Sequence, residues 1–568
     1  MMLPKIGLVW LSLAAVCVGC VPSGPAGSAV DAGQARPAQT KRMAIGAVGN
    51  IHTVSALMNT GSTGANQPGI GPVAAMLQSG MTVLDAKQVR VPELAENVIS
   101  VENGLWKLLP DGAMETTWKL RPNTLWHDGT PVTTDDLLFG VLVGQDRELD
   151  IGLDAAFQYI NNISVPDART VVVRWKQAYI LADAFFGGQH ILPKHLLEQQ
   201  YQQNKRAFTE LPFWSSEWVG TGPFKLRDFV PGSHLVMVAN DRYVQGRPTI
   251  DEVEVKFISD VSTILANLLS GSVHLIVGGG RAISVEVAQQ ISQQWTQGRI
   301  QIDTEASGGP VHLTPQHLNP RPTVVANRQF KAALMHAIDR QEMTNELQAG
   351  LVPVAHSPIP VGDANYASIE NRVVKYDYDP RRAMTMIEEL GYARGADAMF
   401  RDAAGVPLKV EITSTEADIY VKSALTSLDY WKRVGVDGEF VLVPRARTTD
   451  LEYRASYPGF TSTTSGYPAP SNYHSNELRS AQNQYRGRNI SGYSAPELDG
   501  IIDRYLTTIP LNERIQAFGE FVAIVTRENA RMPLMIQGAG FPIHNCLIGV
   551  TAGGITRDAR QWDLKQPC

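Results

Sequence analysis

A chain of 568 residues, with 44% hydrophobic and 19% charged side chains, has length for several compact units and is no small disulfide scaffold. Ten Trp, 17 Tyr and 16 Phe supply core-forming surface that a disordered chain lacks. Lys plus Arg number 50 against 56 Asp plus Glu, and the formal charge of −6 gives no reason to bind nucleic acid and no polybasic patch for a membrane. Four cysteines exclude a cysteine-rich secreted fold.

The chain opens with MMLPKIGLVWLSLAAVCVGC, one Lys followed by an uncharged apolar run over 6–18. As a helix that run spans about 20 Å, too short for a bilayer core of about 30 Å, and it reads as a secretory signal over 1–20. Its end, Cys17-Val18-Gly19-Cys20, resembles the bacterial lipobox, with Cys17 where an apolar residue is usual. Cys20 is therefore the expected lipidation site; the alternative is a plain signal cut before Ala44. Residues 21–42, VPSGPAGSAVDAGQARPAQTKR, have no apolar periodicity and predict a flexible tether. No later stretch has eighteen consecutive apolar residues.

Strand and helix signals then mix, which predicts an α/β or α+β architecture. Alternation predicts strands at Thr116–Leu120, His234–Val238 and Val253–Phe257, and the β-branched run TVVVRW predicts another at Thr170–Trp175. Thr133-Thr134-Asp135-Asp136 precedes LLFGVLV as a helix start with acids in its first turn. Phe330, Ala333, Leu334, Ala337 and Ile338 share one helical face. Pro380–Leu390 runs to Gly391, placed as a C′ glycine, and Ile515–Val525 is a further amphipathic helix.

Several blocks, in order, carry a family resemblance: PELA at 92–95, WKLRPNTLWHDGTPVTTDDL at 118–137, WVGTGPFKL at 218–226, ANDRYVQGRPTIDEVEVKFISD at 239–260 and LLSGSVHLIVG at 268–278, with His274 where an Asp is usual. FKAALMHAIDRQEM at 330–343, YDPRRAMTMIEELGY at 378–392, YWKRVGVDGEF at 430–440 and SAPELDGIIDRYL at 494–506 continue the series. Together they resemble the bacterial extracellular solute-binding proteins that serve peptide and nickel ABC transporters. The resemblance implies a periplasmic-binding-protein-like α/β fold (type II) with three lobes, a hinge and an interlobe cleft. It places lobe I at 43–80, 214–306 and 531–568, lobe II at 81–213 and lobe III at 307–530. It implies a monomer that captures a peptide or other small polar solute without a cofactor and delivers it to ABC permease subunits, from the periplasm or outer face of the envelope. The blocks themselves are structural: Gly129-Thr130-Pro131 is a turn, and Gly220 and Gly222 are expected to allow backbone geometries that a side chain would forbid.

The competing classes are a secreted enzyme and a non-transport surface binding protein on the same scaffold. G-x-S-x-G, H-E-x-x-H and the P-loop pattern are all absent. His312 and His317 stand in a stretch broken by Pro315 and Pro320, so no metal ligands are assigned. In peptide-binding relatives an Asp shortly after a Gly-Trp dipeptide pairs with the peptide amine. The matching stretch here, PGFTSTTSGYPAPSNYH at 458–474, places Thr463 or Gly466 at that position and no acid. The expected ligand wall is Phe460, Thr463, Thr464, Ser465, Gly466 and Tyr467, with Asn66 of GSTGANQP facing it; the alternative is a polar surface loop. Once Cys17 leaves and Cys20 is acylated, Cys546 and Cys568 are the remaining thiols. A disulfide between them is worth roughly 3 kcal/mol on the chain-entropy model, against the alternative of a buried Cys546 and a free Cys568.

Overall fold

The computed structural model describes residues 40–58, 69–85, 89–149, 151, 155–278, 283–303, 309–363, 365–448, 450–464, 469–550, 558–565 and 568. The expected signal, Cys20 and nearly all of the tether lie outside these residues, as do Asn66, Ser465, Gly466 and Tyr467. No described helix is long and apolar enough to cross a membrane.

Two sheets organise residues 41–568. A seven-stranded sheet has the order Gly298–Asp303, Ala539–His544, Leu275–Val277, Arg42–Val48, Glu252–Ile258, His234–Ala239 and Phe224–Val230. Only Arg42–Val48 runs parallel to its neighbours; it is fully apolar at its centre and buried on both faces. A five-stranded sheet has the order Asp437–Leu442, Lys409–Ser414, Phe460–Thr464, Pro310–Pro315 and Met532–Ile536. Between the helix Ile70–Leu77 and the strand Phe224–Val230 the chain inserts a four-stranded antiparallel sheet: Trp106–Leu108, Met114–Lys119, Thr170–Trp175 and Ile160–Asp167.

The chain passes between the two large sheets twice. Gly298–Asp303 leads through 304–309 into Pro310–Pro315, and Met532–Ile536 leads through Gln537-Gly538 into Ala539–His544. These strands are partners on both sides, with Asp303 opposite Ala539 in one sheet and Pro310 opposite Ile536 in the other. At the crossing, Gln537 N–H donates to Gly309 O (3.2 Å) and Gly538 N–H to Gln348 Oε1 (3.0 Å). A side chain at Gly538 would press a Cβ to 2.5 Å from Val285 Cγ2 and 2.7 Å from Val352 Cγ1.

The sequence blocks prove to be docking loops. His127 joins two of them: Gly220 N–H donates to its Nδ1 (3.1 Å) and its Nε2 lies 3.1 Å from Gly222 O. A Cβ at Gly220 would fall 2.1 Å from Leu77 O, and one at Gly222 2.4 Å from the Leu77 carbonyl carbon. These glycines are required by close approach; among the turn glycines, Gly129 has a positive φ of 99° and Gly391 one of 91°. Asp128 Oδ1 accepts from Thr130 N–H at 2.9 Å, the expected turn bond. Thr133 and Asp136 form a capping box at the start of Thr134–Gly144, and buried Asp136 also accepts from Lys194 N–H (2.9 Å) and Trp126 Nε1–H (3.2 Å).

The hydrophobic clusters cross the expected lobe boundaries. Trp118, Trp126 and Trp175 of the inserted segment share one core with Leu498, Ile502, Phe518, Phe521 and Val522. Those last five residues come from the helices Pro496–Thr507 and Leu511–Arg527. Ile180 N–H donates to Leu506 O (2.9 Å) across the same contact.

Two buried imidazoles are kept neutral. Burial and the Arg531 guanidinium hold His312 at about 3, with Nδ1 on Pro310 O (3.0 Å). Burial and Lys331 hold His317 at about 3; its Nε2 accepts from Lys331 Nζ (2.7 Å) and its Nδ1 donates to Ser491 O (3.0 Å). Burial in turn lowers the Lys331 ammonium to about 8. A histidine whose folded pKa lies below its unfolded value of about 6.5 contributes stability above 6.5 that is lost as pH falls toward 3. Each ring therefore adds a slope of at most about 1.4 kcal/mol per pH unit in that window. Urea unfolding at pH 7, 6, 5 and 4 is expected to show stability falling with pH. His317→Gln, which keeps an acceptor for Lys331 and cannot take the proton, should flatten that fall. An unchanged slope in the variant would assign the acid sensitivity to other groups.

Candidate functional site

Strand alternation builds one wall of a cavity of about 1000 Å³. Lys409–Ser414 and Phe460–Thr464 run parallel with Thr413 opposite Thr461, so Glu411, Thr413, Thr461 and Thr463 share a face, and all four line the cavity. The opposite face of these strands packs Val410, Ile412 and Phe460 into a core under the helix Asp418–Arg433.

Across the cavity stand Val48, at the end of the central strand of the seven-stranded sheet, Val261, and the helix start Ser284-Val285-Glu286-Val287, where Ser284 Oγ accepts from Val287 N–H (3.3 Å). Gln348 and Gln537 form the wall beside the strand crossing. Both large sheets therefore contribute to the cavity, and a crossing residue lies within it.

The wall carries opposite charges in unlike states. Glu286 and Asp418 share Lys422 at 3.4 and 2.8 Å, and Glu416 pairs with Arg445 at 2.6 Å. Among the described residues Glu411 and Arg479 have no ion-pair partner. Burial, then the neighbouring Glu439, raises the Glu411 carboxyl above its ordinary value. Burial, then Arg454, lowers the Arg479 guanidinium to about 10, and its Nε–H donates to Gly487 O at 2.9 Å. An unneutralised guanidinium beside threonine hydroxyls is suited to a ligand carboxylate, and Glu411 to an ammonium or a hydroxyl.

Of the expected wall, Thr463 lines this cavity. Phe460 does not: it is fully buried against Trp431, with ring centroids 5.1 Å apart, because even-numbered positions of its strand face the core. Thr464, on that other face, bonds Pro310 O at 3.1 Å. The sequence reading missed Glu411, Thr413 and Arg479. The alternation of KVEITS was a usable signal for the first two, whereas Arg479 comes from a loop that no pattern ties to the sheet.

The family model for the middle part of bacterial extracellular solute-binding proteins, family 5, matches residues 91–485. The chain belongs to this family. It is 21% identical over 470 residues to the oligopeptide-binding protein AppA of Bacillus subtilis, covering 81% of this chain and 79% of that protein. Its fold is similar to that of the Thermus thermophilus oligopeptide-binding protein solved with a pentapeptide: TM-score 0.74, 20% identity, 92% of this chain and 96% of that one. It is similar also to NikZ of Campylobacter jejuni solved with Ni(L-His): TM-score 0.73, 20% identity, 92% and 99% of the two chains.

A hydrogen bond to a charged group is worth about 1.5–3 kcal/mol. Arg479→Met is therefore expected to weaken binding of carboxylate-bearing solutes about 10–100-fold by titration calorimetry, with the unliganded urea midpoint little changed. Equal affinity in the variant would remove Arg479 from the site.

Proposed function

We propose that the chain is the substrate-binding component of an ABC importer, which captures a small polar organic solute bearing a carboxylate, short peptides included, and delivers it to a membrane permease. The observation that carries this reading is the cavity itself, walled by two sheets that the chain links at only two places, with Gln537 of one link in the wall. The two links between the sheets, including Gln537-Gly538, act as the hinge. The large sheets centre lobes I and III, and residues 81–213 form lobe II. Arg479 holds the ligand carboxylate, Thr413, Thr461 and Thr463 its polar groups, and Glu411 an ammonium or hydroxyl.

The described wall holds no histidine or cysteine, the side chains most often used as general base or thiol nucleophile. The reading is capture and release of an unchanged solute by a monomer, rather than turnover. Mass spectrometry of the compound released from purified, denatured protein tests the reading: an intact carboxylate-bearing solute is expected, and a chemically altered one would favour the enzyme.

Closure of the hinge should accompany capture. At 100 times Kd a ligand that binds only the folded state adds about 2.7 kcal/mol of stability. Solution scattering should give a smaller radius of gyration with ligand than without it, and an unchanged profile at proven saturation would overturn the closure.

The lipid anchor follows from the sequence: Gly19-Cys20 after a short apolar run, with the tether ending before Lys41 rather than at 42, since Lys41 bonds Asp251 and Arg42 begins the central strand. Intact mass of the exported protein should show an acylated Cys20 at its N-terminus, lost in Cys20→Ala. An unmodified N-terminus would make the leader an ordinary signal peptide.

A further inference from the structure

The seven-stranded sheet ends in a side-chain cluster that solute capture does not use. His274 and His544 stand at the ends of neighbouring strands: His544 N–H donates to His274 O (2.8 Å) and the two rings lie 5.8 Å apart. Two residues on, Cys546 is 6% exposed, and its Sγ lies 2.9 Å from His544 Nδ1. The ribbon of Leu547–Ile548 on Asp563–Leu564 directs the chain back, and exposed Cys568 brings its Sγ to 3.9 Å from the same Nδ1. One ring nitrogen of His274 and both sulfurs lie within 4.8 Å of one another. The two sulfurs are bonded, with Cα atoms 5.4 Å apart.

We propose that when this disulfide is opened, His274, His544, Cys546 and Cys568 form a tetrahedral site for one zinc-class cation, so that the two cysteines alternate between a disulfide and a metal thiolate. Two thiolates and two imidazoles are a donor set of closed zinc sites, and thiolate sulfur selects Zn²⁺ or Cu⁺ over Mg²⁺ and Ca²⁺. With Zn–S bonds of about 2.3 Å the sulfurs must sit roughly 3.8 Å apart, and exposed Cys568 is the one free to move. Capture through His544 Nδ1 exchanges its bond from Cys546 N–H (3.2 Å) for a metal bond, and Ala44 N–H on His274 Nδ1 (2.9 Å) orients the His274 ring. The two states exclude each other because a bonded sulfur offers no thiolate. Opening takes two electrons and two protons. A trialkylphosphine supplies the electrons and leaves as its oxide, with oxygen and protons from water. Zn²⁺ then displaces two thiol protons to solvent.

The test uses the full chain, reduced with the phosphine under nitrogen and titrated with Co²⁺ and then Zn²⁺. The expected result is one Co²⁺ per chain, with the intense visible bands of a tetrahedral ion and a thiolate charge-transfer band. Zn²⁺ should displace it, and the oxidised chain should show none of this. Cys568→Ser, at an exposed position, should abolish the charge-transfer band of its own sulfur and weaken Zn²⁺ binding at least tenfold, as should His544→Ala and His274→Ala. Circular dichroism checks that each variant is folded. Failure of the reduced chain to bind Zn²⁺, an octahedral Co²⁺ spectrum, or undiminished binding in the cysteine variant or in both histidine variants would overturn the site.

Discussion

The structure depends on one pair of strands shared by two sheets. Asp303 faces Ala539 at the edge of one sheet, and Pro310 faces Ile536 in the other. Between these pairs the ladder is interrupted, so the two sheets are tied along a narrow line and separate on either side of it. The separation is the cavity. One of the two links is only two residues long, Gln537-Gly538, which is the kind of short connection that the proposed hinge requires. Gly538 has no room for a side chain between Val285 and Val352, so this link is tightly packed as well as short.

Rigidity elsewhere makes such a link useful. The inserted segment is tied down by loops whose backbones nearly touch: Gly220 and Gly222 against Leu77, with His127 bonded across both. Its Trp-rich core is shared with two long helices that lie in sequence between the strands Phe460–Thr464 and Met532–Ile536 of the five-stranded sheet. That shared core binds the inserted segment to those helices, independently of the strand crossing.

Local pattern made much of the fold legible. Thr170–Trp175 has the predicted bounds, His234–Ala239 is one residue longer than expected at one end, and Glu252–Ile258 one residue longer at each end. Period-2 alternation and turn chemistry act over a few residues, so they survive in a single sequence. The site was less legible. Thr463 could be placed by motif counting, but Phe460 was assigned to the wrong face, since a run of FTSTT has no polar partner on either side to fix which parity faces the core. The fully buried Trp431 of the helix Asp418–Arg433 settles that parity, and it comes from a different, earlier segment. Arg479 was invisible for a related reason: its role arises from burial and from the distance to any carboxylate, neither of which is encoded near it in the chain.

The charge arrangement in the cavity completes the physical picture. Three of the wall's acids are already neutralised by Lys422 and Arg445, so they contribute little field of their own. The unpaired groups, Arg479 and Glu411, are each shifted in the direction that burial imposes on an uncompensated charge. Holding such charges in an empty cavity costs free energy that a ligand of complementary charge recovers. The stretch that resembles the acid-bearing segment of peptide-binding relatives offers Thr463 or Gly466 at that position, and neither is acidic. On the proposed reading, complementarity rests on a guanidinium carried by a loop, with the sheet supplying hydroxyls, and the anionic end of the solute is the end read most strongly.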